Sequence, residues 1–271
     1  MAQFVHVLTA VTTFTTYLYV RRRRTWLMAL LIALPALLPP LAWYYAPQVA
    51  EDNIKILDAV IQLMFVLTIT PLTALVYGCS LIAEEIEGKT LPLLLSRAAP
   101  RSAIVLGKYF AYCIVAITLL CSSLLLTYGS FALFLQLSLS EHATLLTRYL
   151  GVIAFAAVAY GALCVAVGTM TRRPVVVSAL FIFGWENLVM ALPGYSDFLT
   201  LQKYVKRLMP EVPFRRIEID KVELPAELMR EVYPVGYTFA VLALLGATAV
   251  LLALACRMVR AREFTGAADA G

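Results

Sequence analysis

The residues Gly88-Lys89-Thr90 are the part of this chain whose types and order come closest to known chemistry. A nucleotide-binding P-loop ends in Gly-Lys-Ser/Thr, because backbone N–H groups of a glycine-rich turn surround the phosphates. That loop also needs a glycine five residues earlier, where this chain has Ala83. Three carboxylates in between, Glu84, Glu85 and Glu87, would repel a polyphosphate. The sequence therefore predicts that this chain binds no nucleotide.

Other catalytic chemistry has few candidate residues. The two histidines, His6 and His142, lie in unrelated segments, so they support neither a nucleophile relay nor a metal centre. Acidic residues cluster outside the apolar stretches, with Glu186 alone inside one, so no paired-carboxylate hydrolase is visible. The five cysteines fall in or beside apolar stretches and are expected to pack as small apolar residues. We predict no enzyme activity, cofactor or metal site for the chain by itself.

The composition predicts a polytopic membrane protein. Hydrophobic residues make up 62% of the 271 residues and charged residues only 14%, whereas soluble domains are near a quarter charged. Six uninterrupted apolar blocks are each long enough to cross about 30 Å of hydrocarbon. These predicted spans 1 to 6 are 26–45, 59–82, 103–128, 149–170, 175–193 and 234–256. Residues 1–271 are thus expected to form a single all-α transmembrane domain.

Lysine and arginine predict the orientation, because basic residues in short flanking segments stay on the cytoplasmic side. The two short outer loops hold only Lys55 and Arg148. The inner segments hold Arg21, Arg22, Arg23, Arg24, Lys89, Arg97, Arg101, Lys108, Arg172, Arg173, Arg257, Arg260 and Arg262. Both termini are therefore predicted to be cytoplasmic. The net charge of +5 then faces anionic lipid, and no nucleic-acid partner is expected.

Residues 1–24 differ from the spans. Apolar residues recur there at helical spacing, with threonines and other polar residues on the remaining faces. The apolar positions are Phe4, Val7, Leu8, Val11, Phe14 and Leu18. The pattern favours an interfacial helix along the inner leaflet that turns at Arg21 to Arg24 into span 1, and a weakly ordered tail is the alternative.

Residues 83–101, between spans 2 and 3, have the pattern of a short cytoplasmic helix. Gly88 suits the end of the preceding helix, and Thr90 can cap a new one, with Pro92 near its first turn. Pro100 ends the segment, and Ser102 can cap span 3. Spacing alone also fits an ordinary interfacial helix in an inner loop.

The segment EEIEGKTLPLLLSRAAPRSAIVLGKYFAY resembles the loop after the second span in the ABC transporter type-2 permease family. It is similar above all to the subgroup containing the permease that serves nitrous oxide reductase maturation. The matching positions are Glu84, Glu85, Glu87, Gly88, Thr90, Leu94, Leu95, Pro100, Arg101, Leu106, Gly107 and Lys108. This sequence departs from the family pattern where Lys89 is inserted and where Arg101 precedes Ser102.

The resemblance implies a permease subunit with no nucleotide site of its own. Two copies of a separate ATP-binding subunit, which bind ATP and Mg, would dock beneath two permease subunits that form a homodimer. The resemblance also implies a multi-pass protein of the plasma membrane, as in the prokaryotic inner membrane. The ATPase-coupling residues carried over are Glu84, Glu85, Glu87, Gly88, Thr90, Leu94, Leu95, Arg97, Pro100 and Arg101.

Glu186 and Asn187 are unexpected inside span 5. A carboxylate near mid-span costs roughly 2.5–3.5 kcal/mol on the insertion scale, so Glu186 should face protein or water and not lipid. One hypothesis places both residues on the translocation path. The other gives Glu186 a structural polar contact between helices or a place at the outer interface.

Residues 194–233, between spans 5 and 6, exceed the length of a turn and are expected to form a small extracytoplasmic cap. An apolar helix face is predicted from Phe198 to Met209, with Lys203, Lys206 and Arg207 on other faces. A short strand near residues 217–221 and a helix near 225–231 are further expectations. The cap is also a candidate docking site for an extracytoplasmic partner protein.

Two functional hypotheses from different classes follow. The first is the permease subunit of an ATP-driven exporter for a lipid-like or amphipathic substrate. The second is a non-transporting membrane module, a sensor or a device that remodels a partner at the outer face. Attachment of a separate ATPase distinguishes them.

Overall fold

A computed structural model describes this chain as a bundle of helices over residues 2–45, 53–81, 100–135, 142–171, 173–191, 195–210 and 235–261. A 3-10 turn at Tyr195–Leu199 joins the bundle, and no strand occurs in these ranges. We number the helices α1 (Ala2–Arg21), α2 (Arg23–Tyr45), α3 (Ile56–Leu81), α4 (Arg101–Phe134), α5 (Ala143–Met170), α6 (Pro174–Val189), α7 (Leu201–Leu208) and α8 (Tyr237–Ala261).

Five of these helices, α2 to α5 and α8, are long and apolar enough to cross a membrane. Helix α6 is apolar but shorter, with fewer than 18 residues, whereas a helix that crosses the membrane needs about 20. Large apolar side chains also cover the outside of the bundle, where Trp26, Leu30 and Leu133 are each more than 70% exposed. Such surfaces suit lipid, so the prediction of an all-α polytopic membrane protein is confirmed, and the count of six spans stays a prediction.

Helix ends meet at two opposite sides of the bundle. Lys108, near the start of α4, donates to the carbonyl oxygen of Leu81 at the end of α3 over 3.2 Å. Cys79 Sγ, in the last turn of α3, donates to Ser178 Oγ near the start of α6 over 3.2 Å. Because the positive-inside pattern assigns these helix ends to the cytoplasm, we call this side the predicted inner end.

The opposite side is the predicted outer end. Tyr149, near the start of α5, donates a hydrogen bond to Asp58, near the start of α3. The rings of Trp43, at the end of α2, and Phe134, at the end of α4, lie 6.4 Å apart. Successive helices therefore run in alternating directions, as the apolar blocks predict.

Helix α5 is the centre of the bundle, and small residues let its neighbours approach it. A Cβ on Gly161 would lie 2.0 Å from Cε1 of Tyr112 in α4. Tyr112 is fully buried and donates to the carbonyl oxygen of Ala157 over 2.9 Å. A Cβ on Gly78 in α3 would lie 2.8 Å from Cβ of Cys164. Glycine and cysteine therefore serve here as packing residues at close helix contacts.

Helix α1 packs against α4. Its predicted apolar positions from Phe4 to Val11 are half-buried, whereas Phe14 is 65% exposed. Tyr19 is buried instead, and its ring meets Tyr77 of α3 edge-on at 5.5 Å. The prediction of a helix over the first residues is confirmed, while its place along the inner leaflet stays a prediction.

Helices α3 and α6 depart from regular α-helix. Helix α3 contains π-helical stretches at Ile61–Ile69 and Ala74–Gly78, separated by a turn that contains Pro71. Helix α6 contains a π-helical stretch at Leu180–Trp185. Proline removes a backbone donor, and wide π turns recur at functional sites in helices.

Helix α7 is buried among α5, α6 and α8. Leu201, Val205 and Leu208 are buried as the apolar face predicts. Lys203 is also only 5% exposed, and its Nζ lies 3.8 Å from Asp197 Oδ2 and 4.0 Å from the ring centroid of Phe198. An ion pair and an aromatic ring therefore give the ammonium group of Lys203 partners inside the bundle.

Candidate functional sites at the two ends of the bundle

The predicted coupling segment enters and leaves the predicted inner end of the bundle. Of the residues assigned to coupling, Pro100 and Arg101 are described, and the remaining positions from 84 to 97 lie outside the described residues. Pro100 occupies the N-cap position of α4, and Arg101 is its first residue. The expected cap at Ser102 was wrong, because Ser102 already lies inside the first turn and is buried.

Lys108 fixes the two flanks of this segment relative to one another. The side chain is 8% exposed, and its ammonium group meets the carbonyl oxygen of Leu81, the last described residue of α3. A buried ammonium group needs acceptor oxygens, and the backbone carbonyl group of Leu81 supplies one. The contact thus joins the helix that leads into residues 82–99 to the helix that follows them.

Gly107, the neighbour of Lys108, forms the contact with α1. The hydroxyl of Thr12 donates to the carbonyl oxygen of Gly107 over 3.0 Å. A Cβ on Gly107 would lie 3.0 Å from both the carbonyl oxygen of Leu8 and Cβ of Val11. In the Leu-Gly-Lys motif, Gly107 therefore allows close packing of α1 against α4, and Lys108 contacts α3.

At the predicted outer end, Glu186 joins three helices. Its side chain is 1% exposed, and Tyr160 of α5 donates to Oε2 over 2.7 Å. The backbone N–H of Leu201, the first residue of α7, donates to Oε1 over 3.1 Å. A carboxyl group at a helix N-terminus takes the place of the missing intrahelical acceptor. Glu186 thus caps α7 from another helix.

Asn187 does not share this environment. Its amide group donates to the carbonyl oxygen of Phe183 one turn earlier over 2.9 Å, and its side chain is exposed. The structure therefore does not bring Asn187 and Glu186 together at one site. A role for either residue in translocation stays a prediction, while the contacts of Glu186 are the structural polar contact of the second hypothesis.

A second buried carboxyl group, Asp58, was missed from the sequence. It is fully buried in α3, where Tyr149 donates to Oδ1 and Gln62 Nε2 donates to Oδ2 over 3.1 Å. The statement that Glu186 is alone inside an apolar block was wrong, because α3 begins before residue 59. The spacing of Asp58 and Gln62, one helical turn apart, was the signal that could have found this pair.

A cavity of about 730 Å³ opens at the predicted outer end between α5, the end of α7 and α8. Its polar wall includes Arg148 of α5 and Arg207 of α7. Apolar side chains, among them Phe155, Leu208 and Val241, form much of the rest. The volume lies within the range of roughly 300–1,000 Å³ typical of ligand sites.

A family model described as "ABC-2 family transporter protein" matches residues 17–263 of this chain. The chain belongs to the ABC-2 transporter family. The match includes every helix from α2 to α8, so it covers both candidate sites. A search of curated proteins found no match. The assignment therefore rests on the family model and on the helical architecture.

Membership of the ABC-2 family makes this chain a multi-pass membrane permease and a component of an ABC transporter. Permeases of this kind are membrane subunits that work with an ATP-binding subunit. The expectation of a transport function with an ATP-binding partner is thereby confirmed at the level of the family.

Proposed function

We propose that this ABC-2 permease couples ATP hydrolysis in a separate subunit to the export of a lipid-like or amphipathic substrate. Two permease chains would pair as a homodimer, with two ATP-binding subunits beneath them in a prokaryotic inner membrane. Residues 83–101 would be the main surface for those subunits, which would hold ATP and Mg. The proposed subgroup is the one with the nitrous oxide reductase maturation permease.

The buried contact between Lys108 and Leu81 is the observation that carries the coupling proposal. A partner can move the transmembrane helices only through an element whose two ends are firmly attached to them. Residues 82–99 enter from α3 and leave into α4, and Lys108 joins those two helices at that point. A push on the segment would therefore act on both helices as one unit.

Helix α3 is the proposed moving element. It leads directly into the coupling segment and carries two π-helical stretches around Pro71. A helix that already departs from regular α geometry can change its local winding at low cost, and such changes occur at functional sites. Because α3 meets α6 through Cys79 and Ser178, its movement would reach α6 as well.

The test is purification of the full chain with its ATP-binding subunit. The triple substitution E84A/E85A/E87A is expected to lower the amount of co-purified ATPase at least about tenfold, since it removes three charges from the proposed contact. The matched control E218A/D220A/E223A removes three acids from the predicted outer loop and should leave attachment unchanged. Size-exclusion profiles of the isolated permease show whether each variant is folded.

Two outcomes would contradict the proposal. Full attachment of the ATPase to the folded E84A/E85A/E87A variant would exclude these acids as the coupling surface. Isolation of the wild-type chain without any ATP-binding protein would favour the non-transporting membrane module.

A further inference from the structure

The cavity at the predicted outer end combines cationic and apolar walls. Arg148 is exposed and Arg207 half-buried, and both line it beside Phe155 and Val241. On the α5 wall, Gly151 has no side chain and Thr147 has a small one, so this wall leaves space for a ligand. The composition of the walls is that of a site for a molecule with an anionic head and an apolar body.

Ordinary helix chemistry accounts for only one of the two arginines. Arg207 lies in the last turn of α7, where a cation is favoured by the carbonyl groups of that turn. Arg148 lies near the N-terminal end of α5, where the helix dipole gives a cation no advantage. Arg148 is exposed at the cavity, so its guanidinium group is accessible to a ligand there.

We infer that this cavity is a binding site for the phosphate-bearing head of an amphiphile. Arginine presents a planar fork of N–H donors that matches phosphate oxygens, and its guanidinium group is more weakly hydrated than an ammonium group. The apolar walls would hold the first part of the hydrocarbon chains. The conclusion that such an amphiphile is the exported substrate rests on the proposed function. Binding of the amphiphile to the permease does not depend on that function.

Helix α7 connects the cavity to Glu186. The carboxyl group of Glu186 holds the first residue of α7, and the cavity lies at the last turn of the same helix. Helix α7 has eight residues and is therefore about 12 Å long. Arg207 therefore reaches the cavity from a helix whose other end is fixed in the bundle.

The experiment measures binding to the purified full chain in detergent by isothermal titration calorimetry. The three probes are dioctanoyl phosphatidic acid, neutral dioctanoylglycerol and inorganic phosphate. Phosphatidic acid is expected to bind at least about tenfold more tightly than either of the others, because it alone offers both the anion and the chains. Equal binding of inorganic phosphate would indicate an anion site without an apolar part, and equal binding of dioctanoylglycerol would exclude a role for charge. Either result, or no binding of phosphatidic acid, overturns the inference.

Two variants separate charge from shape. R148Q/R207Q is expected to weaken phosphatidic acid binding at least about tenfold. G151L keeps both arginines but places a bulky side chain at the cavity wall, and a Cβ at Gly151 meets nothing within 4 Å, so the helix should fold. G151L should also weaken binding, whereas G129L, at an equally open glycine of α4, should not. Wild-type affinity in both folded cavity variants would refute the site.

The same preparations keep this inference separate from the proposed function. E84A/E85A/E87A should lose the ATPase and still bind phosphatidic acid. If phosphatidic acid binds but no ATPase ever attaches, the site stands and the transport proposal fails. If the ATPase attaches normally and phosphatidic acid does not bind, the site fails and the coupling proposal stands.

Discussion

At the predicted inner end a cation joins two long helices, and at the predicted outer end a carboxyl group holds the start of a short one. Lys108 meets the last described carbonyl group of α3, and Glu186 meets the first N–H group of α7. An acceptor such as the carboxyl group of Glu186 is favoured at a helix N-terminus, where N–H groups lack partners inside the helix. Both side chains are buried and come from a different helix.

The two contacts differ in what they hold. Lys108 ties together two long helices on either side of the proposed coupling segment, so its loss should act mainly on the response to the ATPase. Glu186 ties a short helix of eight residues to the bundle, and such a helix has little stability of its own. Its loss should therefore act mainly on the stability of the predicted outer end.

The substitution Glu186→Ala gives the largest expected effect. It leaves the hydroxyl of Tyr160 and the N–H of Leu201 without their buried acceptor, so the free energy of unfolding should fall by about 2–3 kcal/mol. Unfolding in increasing SDS measures this change, and limited proteolysis near residues 195–210 reports release of α7. Asn187→Ala is the matched control, because it removes only a local bond to Phe183. Equal stability of the two variants would contradict the capping role of Glu186.

Lys108→Met tests the other half of the comparison. The apolar side chain keeps much of the volume but loses the bond to Leu81, so the free energy of unfolding should fall by only about 1 kcal/mol. Stimulation of the ATPase by the permease in the assembled complex should nevertheless fall severalfold. Lys221→Met, in the predicted outer loop, should change neither quantity. A stimulated rate equal to wild type in Lys108→Met would show that the two contacts have the same, purely structural role.

Gly107→Ala has the smallest expected effect. It should lower stability, whereas the same substitution at Gly129 should raise it. The new methyl group would meet the carbonyl oxygen of Leu8 at 3.0 Å, so α1 must shift, and stability should fall by about 1 kcal/mol. Gly129→Ala meets nothing within 4 Å and should raise stability by about 0.5 kcal/mol through the unfolded state. Thermal unfolding in detergent compares the two. A stabilised Gly107→Ala protein would mean that α1 does not depend on close contact with α4.

Much of the fold could be predicted because hydropathy is a local property. Apolar blocks indicated helices near the observed bounds of α2 to α5 and α8. The predicted second span starts at residue 59, whereas α3 begins earlier and includes Asp58, to which Tyr149 and Gln62 donate hydrogen bonds. Local pattern could not show this, since Tyr149 lies 91 residues from Asp58.

For the candidate sites, the sequence likewise indicated some of the important residues but not their contact partners. The Leu-Gly-Lys motif indicated that Gly107 and Lys108 matter, but the contacts with Thr12 and Leu81 came only from the structure. Span 5 made Glu186 conspicuous, yet nothing in the pattern named Tyr160 and Leu201 as its partners. Likewise, the helical pattern from Phe198 to Met209 did not show that Lys203 is buried inside the bundle.

The sequence by itself determined that this protein is a helical membrane permease without a P-loop, and which segment resembles a coupling loop. Those conclusions depend on composition and on short motifs, which neighbouring residues define. Only the tertiary structure decided that α7 is buried, that Glu186 caps it and that two arginines share a cavity. These features join residues from different helices, and a buried charge is tolerated only where packing supplies its partners.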